Sequence, residues 1–485
     1  MAAPRARRID IPLRHVAVAC GAMLFAVLGK ATWIQVFDAA GLREDPHNQR
    51  ALTARFDRPR GEIRLRDGTV VAASRRDPRD GDRHRYRRFY PEGPVHAPVT
   101  GHLSFYAATG IEQAEDAVLA GTDPRVRVRA IVDGTAAAGA AVVLTIDGRA
   151  QRAAYAGLRA TGRPGAAVAI DPATGEILAM ASYPSYDPNL YTTPDVAELD
   201  RTDRRLQADP GRPLLNRAIR QTYPPGSVFK IVTTAAALAS GDYRPGTRVA
   251  APAAFRLPGA SVRLRNFRGT ACGDGLPSLA YAFKISCNTP FAMIGIGLGQ
   301  DALRERAEAF GFNDGGLAVP MPVARSVYPA GMDRAQTAMS ALGQFDDRAT
   351  PLVLAMLSAA VAGDGSLMRP HLVREVRLGD GTVIGEAEPS RYRRALSSRD
   401  ARRLTAMMTG VTRRGGTGRA AALPGVGVAA KTGTAENGGR DHAVFTGFAP
   451  ADSPRVAVGV VVEGGGSGGR VAAPVARAIM RAVLG

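Results

Sequence analysis

The sequence predicts an α+β protein: one apolar helix at the N-terminus, a small, mainly extended region, then a long segment with one antiparallel sheet flanked by helices. Three observations carry this. An apolar run from His15 to Phe37 spans 23 residues, enough to cross about 30 Å of hydrocarbon as a helix. Short apolar runs bounded by turn residues cluster at 166–182 and again at 427–463, as strands do. Between these clusters the apolar spacing is mostly helical, and strands from both ends of one segment are expected to complete a single sheet. At 485 residues the chain exceeds the roughly 150 typical of a domain, so two folded units plus the apolar helix are expected.

Taken in order, Arg5, Arg7, Arg8 and Arg14 precede the apolar run, while Lys30, Trp33, Gln35 and Phe37 lie at its far end. Cations on one flank and amphipathic rings on the other suit a single span with residues 1–14 in the cytoplasm. The expectation is an anchor over 15–37 in the cell membrane, with everything from residue 38 outside the cytoplasm. A cleaved signal peptide and a buried core helix are the alternatives, the first disfavoured because no clean small-x-small site follows so long a run.

Residues 38–140 are rich in Arg, Pro and Gly and contain β-like runs at 62–65 and 69–72 around Asp67-Gly68, a hairpin signal. The stretch Arg75–Arg88 holds seven Arg against three Asp and reads as a solvated loop, with contact to phosphate-bearing envelope polymers or lipid headgroups as the alternative. From residue 141 the pattern sharpens into a strand at 141–146, a helix over 147–160, a hairpin of 166–170 and 176–182, late strands at 427–432, 443–448 and 455–463, and a closing helix over 474–484.

Charged residues at 22%, hydrophobic residues at 45% and a mean hydropathy of −0.08 exclude a disordered tail, a polytopic membrane protein and a fibrous repeat. The net charge of +19 does not indicate nucleic acid, because the basic residues are nearly all arginines scattered along the chain. Of 63 basic residues only Lys30, Lys230, Lys284 and Lys431 are lysines. Cys20, Cys272 and Cys287 are too few for a disulfide scaffold and badly spaced for zinc. No metal or other cofactor is expected.

Two of the four lysines fall in motifs with chemistry. Ser227-Val228-Phe229-Lys230 opens a strong helical pattern after Pro225-Gly226. Three residues are about one helical turn, so the Lys230 amine can lie beside the Ser227 hydroxyl. A serine needs a neighbouring base to become a nucleophile, and a desolvated lysine can serve. Alone this is weak, since 18 Ser and four Lys yield roughly 0.15 chance S-x-x-K matches. The companions Ser286-Cys287-Asn288 and Lys431-Thr432-Gly433-Thr434, in that order, make it specific.

This S-x-x-K, S-x-N, K-T-G set resembles the penicilloyl serine transferases, the penicillin-binding proteins and serine β-lactamases. Arg60-Gly61-Glu62-Ile63, Gly110-Ile111-Glu112 and Leu119-Ala120-Gly121 resemble the non-catalytic domain of class B penicillin-binding proteins. Leu144-Thr145-Ile146-Asp147 with Gln151 is similar to the junction with their transpeptidase domain, and Arg369-Pro370-His371 and Phe445–Pro450 extend the likeness. The opening, from Gln35 to Arg50, is most like the actinobacterial A-type members. The implied domains are a non-catalytic, dimerisation-type pedestal over 38–140 and a transpeptidase domain over 141–485.

By resemblance, Ser227 is the acyl-forming nucleophile and Lys230 its proton acceptor. Ser286 and Asn288 complete the proton path and hold the donor amide, and Lys431 adds positive charge. Thr432, Gly433 and Thr434 form the substrate and β-lactam site, in which Thr432 and Thr434 bind the terminal carboxylate, and the backbone N–H groups of Ser227 and Thr434 form an oxyanion hole. Cys287 stands where Ser is common, Val444 where many relatives carry an aromatic, and Phe345 where Gly follows Gln344. A Cys272–Cys287 disulfide is chemically allowed outside the cell, but the resemblance packs Cys287 beside the active site, which argues against it. The implied activity is cross-linking of peptidoglycan stem peptides, D-Ala-D-Ala donor to amine acceptor, inhibited by β-lactams, with a polytopic glycan polymerase as partner. The alternatives are an envelope scaffold with a secondary serine site and a D,D-carboxypeptidase.

Overall fold

The computed structural model describes residues 10–36, 56, 58–76, 86–132, 138–436 and 438–485. The Asp10–Val36 helix carries the apolar span, whose segment Arg14–Ile34 has a mean hydropathy of 1.7 and buries none of its surface against the protein. Residues 77–85, the tail before Asp10 and residues 37–55 lie outside the described residues; the described ends of the Arg75–Arg88 stretch are strands, not a solvated loop, and Arg88 is buried against Glu112.

The first sheet has six strands in the order Val383–Glu386, Val373–Arg377, Ala141–Leu144, Ile63–Arg64, Val70–Arg76, Tyr86–Phe89. Ile63 pairs antiparallel with Ala72 and parallel with Val142. The hairpin turns where foreseen: Gly68 adopts φ 86° and Asp67 accepts from the Thr69 N–H at 2.9 Å, the Asx-turn that Asp-Gly favours. The extended reading of this region needs one addition. Four short helices, Gly93–Thr100, Gly110–Ala114, Asp116–Leu119 and Pro124–Val132, lie among the described residues of the same stretch. On the second of these the Glu112 carboxylate, fully buried, accepts from Arg60 at 2.7 Å and from Arg88 at 2.5 Å.

Two strands of this sheet come from 373–386, so the second segment reaches back into the first. Gln151 ties the two at their junction. Its buried amide donates to Val95 O at 2.8 Å and Met180 O at 3.0 Å, and accepts from Met180 N at 2.8 Å. The expected helix after the junction begins at Gly148, with Asp147 capping the N–H groups of Arg149 and Ala150, as a short acidic side chain does at an N-cap.

The second sheet is wholly antiparallel, in the order Ala429–Ala435, His442–Ala449, Val456–Val462, Gly165–Ile170, Ile177–Tyr183. The sequence's strands therefore lie where expected, within two or three residues. Val456–Val462 is buried on both faces: Val458 and Val460 join one apolar cluster and Ala457 and Val461 the other, the two-residue alternation of a strand. One cluster holds the Gly148–Ala160 and Ala472–Leu484 helices; the other holds Pro351–Ala362, apolar all round and buried almost throughout. A helix without a polar face belongs inside a core.

Cys272 and Cys287 are disulfide-bonded, with Cα atoms 6.4 Å apart. The expectation against this pairing is corrected. The Cys287 side chain turns away from the cleft toward the segment before the Leu279–Lys284 helix, while its neighbours Ser286 and Asn288 face the cleft.

Candidate active site

Ser227 lies on a 3-10 turn, Gly226–Phe229, that runs directly into the Lys230–Ser240 helix. With three residues per turn, side chains at i and i+3 eclipse, so this turn stacks Lys230 behind Ser227. Gly226 enters it at φ 53°, and a Cβ there would meet the Thr434 carbonyl oxygen at 2.7 Å. Only glycine lets the turn press this close against the K-T-G strand.

Ser227, Ser286, Asn288, Thr432, Gly433 and Thr434 line one cleft of about 410 Å³. Lys230 and Lys431 sit beneath it with no exposed surface. Lys230 Nζ donates to Ser286 O at 2.9 Å, Ser286 Oγ at 3.4 Å and Asn288 Oδ1 at 2.8 Å. Lys431 Nζ donates to Ser286 Oγ at 2.8 Å and Thr432 O at 2.8 Å. Ser286 therefore bridges the two amines, and it does so from φ 62°, a left-handed conformation that costs a non-glycine residue about 1 kcal/mol or more. Among the described residues the Ser227 hydroxyl makes no hydrogen bond, and no carboxylate pairs with either lysine. Burial, then the charge of Lys431, hold the Lys230 amine well below its ordinary value. Burial brings Lys431 down to about 7. One amine stands ready to accept a proton while the other can carry charge.

Residues 165–481 match the penicillin-binding-protein transpeptidase domain, and residues 60–142 match the penicillin-binding protein A dimerisation domain. The chain is 44% identical to the peptidoglycan D,D-transpeptidase PbpA of Mycolicibacterium smegmatis and 42% identical to that of Mycobacterium tuberculosis, covering 98% of this chain and 99% of each relative. The chain belongs to the penicillin-binding-protein transpeptidase family. Its structure is similar to M. tuberculosis penicillin-binding protein A solved as a ceftriaxone acyl-enzyme, with a TM-score of 0.84 and 40% identity over 89% of this chain and 99% of that one. The penicillin G acyl-enzyme of the same protein gives 0.83 and 41% over 88% and 100%.

Phe345 adopts the left-handed backbone that glycine favours, at φ 67°, and is partly exposed beside Gln344, which lines the cleft. Val444 pairs across the sheet with Gly433 and is buried, so a small side chain backs the K-T-G strand. Some cleft residues carried no sequence signal. Thr417 shares a 2.6 Å hydrogen bond with the Thr432 hydroxyl. Asn266, buried, accepts from the N–H groups of Asn288 at 2.9 Å and Thr289 at 3.0 Å. Gly468 approaches the same strand so closely that a Cβ there would lie 2.4 Å from Gly433 O.

Proposed function

We infer that the protein, a peptidoglycan D,D-transpeptidase of the penicillin-binding family, works through an acyl-enzyme on Ser227. Ser227 Oγ attacks the carbonyl of the penultimate D-Ala of a donor stem peptide. Lys230, neutral because it is buried beside Lys431, takes the hydroxyl proton. The backbone N–H groups of Ser227 and Thr434 receive the developing oxyanion. Terminal D-Ala departs with a proton delivered along Ser286, which touches both lysine amines. The edge strand Ala429–Ala435 offers Thr432, Gly433 and Thr434 to the substrate carboxylate, with Lys431 supplying positive charge. An acceptor amine then attacks the ester and closes the cross-link. A β-lactam enters the same sequence and stops at the acyl stage.

The observation that carries this reading is the pair of fully buried, carboxylate-free lysines joined through Ser286 directly beneath Ser227. The test is to treat the full chain with a fluorescent penicillin and map the adduct. A single labelled peptide containing Ser227, lost in Ser227→Ala at matched abundance, is expected; labelling that survives the substitution removes Ser227 from this role.

The exposed apolar span, with its arginine flank, supports a single-pass anchor over 15–37, a tail over 1–14 in the cytoplasm and the cleft outside. The working domains are then a pedestal over 38–140 and a transpeptidase domain over 141–485. A pedestal next to the membrane suits a polytopic glycan polymerase as the source of nascent strands. Removal of residues 1–38 should release a soluble protein that still labels with penicillin; persistent aggregation without labelling would contradict the anchor.

A further inference from the structure

Ser286 and Asn288 supply every hydrogen-bond acceptor of the Lys230 amine among the described residues, and Ser286 supplies one of the two for Lys431. Between them Cys287 points the opposite way and is covalently joined to Cys272. The segment that carries Cys272 grips the motif at further points. Asn266 Oδ1 accepts from Asn288 N and Thr289 N, while its Nδ2 donates to Pro252 O at 2.8 Å and Thr270 O at 3.1 Å. Arg265 O accepts from Asn288 Nδ2 at 3.0 Å. Cys272 N in turn donates to Ala251 O at 3.1 Å.

The grip matters because its surroundings are slight. The hairpin of Ala254–Arg256 and Arg263–Arg265 is an isolated two-stranded sheet, marginal by itself, and its neighbours Val262 and Phe267 are 59% and 81% exposed. Left-handed Ser286 persists only where its surroundings over-determine it. A covalent tie one residue away is the strongest such constraint among the described residues.

We propose that the Cys272–Cys287 disulfide, with Asn266, is a positioning clamp that holds Ser286 and Asn288 in acylation geometry, so that opening it slows acylation of Ser227. This rests on the acyl-enzyme reading above. Cys272 and Asn266 act through the motif and touch no reacting atom in this reading. The groups facing the Lys230 amine are Ser286 and Asn288 from the motif, the Phe291 ring of the following helix at 5.4 Å, Ser227 one turn before it and Lys431 from the K-T-G strand. Among the described residues Lys431 is the charged group acting on it. A displaced motif admits water to this site, and the Lys230 amine then returns toward its ordinary, higher range.

The experiment compares the full chain in detergent in three forms: oxidised, reduced by a small dithiol, and Cys272→Ala. In the reduction, two S–H groups of the dithiol supply two electrons and two protons; the protein disulfide becomes two thiols and the reagent becomes its cyclic disulfide. Thiol titration then reads three cysteines in place of Cys20 alone. Acylation by the fluorescent penicillin is followed from pH 6 to pH 10, beside the melting temperature.

The reduced protein and Cys272→Ala are expected to acylate roughly 10- to 100-fold more slowly, the scale of a small misplacement of reacting groups. Their pH of half-maximal rate should move upward, and reoxidation should restore the reduced wild type. Equal rates and an unmoved pH midpoint in all three forms, or a fall in melting temperature alone, would make the disulfide a structural staple and overturn the clamp. Because the disulfide is buried, Cys272→Ala decides the matter where the dithiol does not reach it. An oxidised protein that never labels at Ser227 would instead contradict the acyl-enzyme reading.

Discussion

Two pairs of buried basic side chains, one in each region, are treated oppositely. In the pedestal, Arg60 and Arg88 meet the buried Glu112 carboxylate, and Arg60 also reaches Asp116 at 2.7 Å. Burial alone would raise the Glu112 carboxyl, but Arg88 and Arg60 together outweigh it and hold it below the ordinary range. In the cleft, Lys230 and Lys431 have hydroxyl, amide and carbonyl partners but, among the described residues, no carboxylate. Burial there goes uncompensated and drives both amines down. Arginine retains its charge in almost any site, whereas a desolvated lysine can surrender its proton. The pedestal holds cations that stay charged and fix a structure; the cleft holds amines that can change state, as the proposed chemistry requires.

The sharpest break in this comparison is Lys230→Arg. A guanidinium cannot accept the Ser227 proton, so acylation should fall on the order of 10³-fold or more, the scale of a lost general base. The melting temperature should move far less than the rate. Acylation near the wild-type rate, measured as the second-order rate of covalent labelling, would refute the base assignment.

The mirror experiment is Glu112→Gln. It leaves the buried Arg88 guanidinium without its anion and Arg60 with Asp116 alone, and should destabilise the fold by about 3–5 kcal/mol. Urea unfolding should show this loss while labelling per folded molecule stays unchanged. The sign with pH follows from the lowered Glu112 carboxyl. Its stabilising contribution is present above the ordinary carboxylate range and is lost as pH falls through its folded value, so the variant should lack that part of the acid sensitivity.

How much of this contrast was legible beforehand differs between the two regions. The cleft motifs could be read because they are local strings, and four lysines in 485 residues made Lys230 and Lys431 conspicuous. The pedestal network could not be read, because Arg60, Arg88 and Glu112 are far apart in a chain where arginine is everywhere. The strands at 373–386 that complete the pedestal sheet escaped for the same reason: strand pairing over more than 200 residues leaves no periodic trace. Asn266, Thr417 and Gly468 act through backbone proximity, which only the folded chain displays. The position of Cys287 in S-x-N argues against the disulfide, yet a side chain one residue along can face the opposite way.

An effect of intermediate size separates the two lysines. Lys431→Ala removes positive charge from the cleft and should slow acylation by on the order of 10²-fold at neutral pH. In the wild type, acylation should rise with pH as Lys230 is freed of its proton and fall again as Lys431 loses its own near 7, the pair titrating together. The variant should lose the falling limb. With Lys431's charge gone, the rising limb should move to higher pH. A lysine lowered by burial makes folding less favourable as pH drops from its ordinary range toward its folded value, so wild-type stability should increase between about pH 7 and pH 10 more than that of Lys431→Ala. Identical stability profiles would mean that burial does not perturb Lys431.

The smallest expected effect tests whether single hydroxyls follow the same division. Thr417 and Thr432 share a 2.6 Å hydrogen bond at the rim of the cleft, and Ser74 accepts from Arg60 N at 3.0 Å in the pedestal. Thr417→Val deletes that bond, and Ser74→Ala deletes both the bond it accepts and the 3.3 Å bond it donates to Arg60 O, each worth about 1 kcal/mol. If Thr417 orients the Thr432 hydroxyl for a carboxylate, Thr417→Val should slow acylation roughly two- to fivefold with little change in melting temperature. Ser74→Ala should do the reverse, lowering the melting temperature by a few degrees and leaving acylation alone. Equal small losses of stability in both, with acylation unchanged in both, would reduce Thr417 to packing and confine the chemical half of the contrast to the lysines and the S-x-N motif.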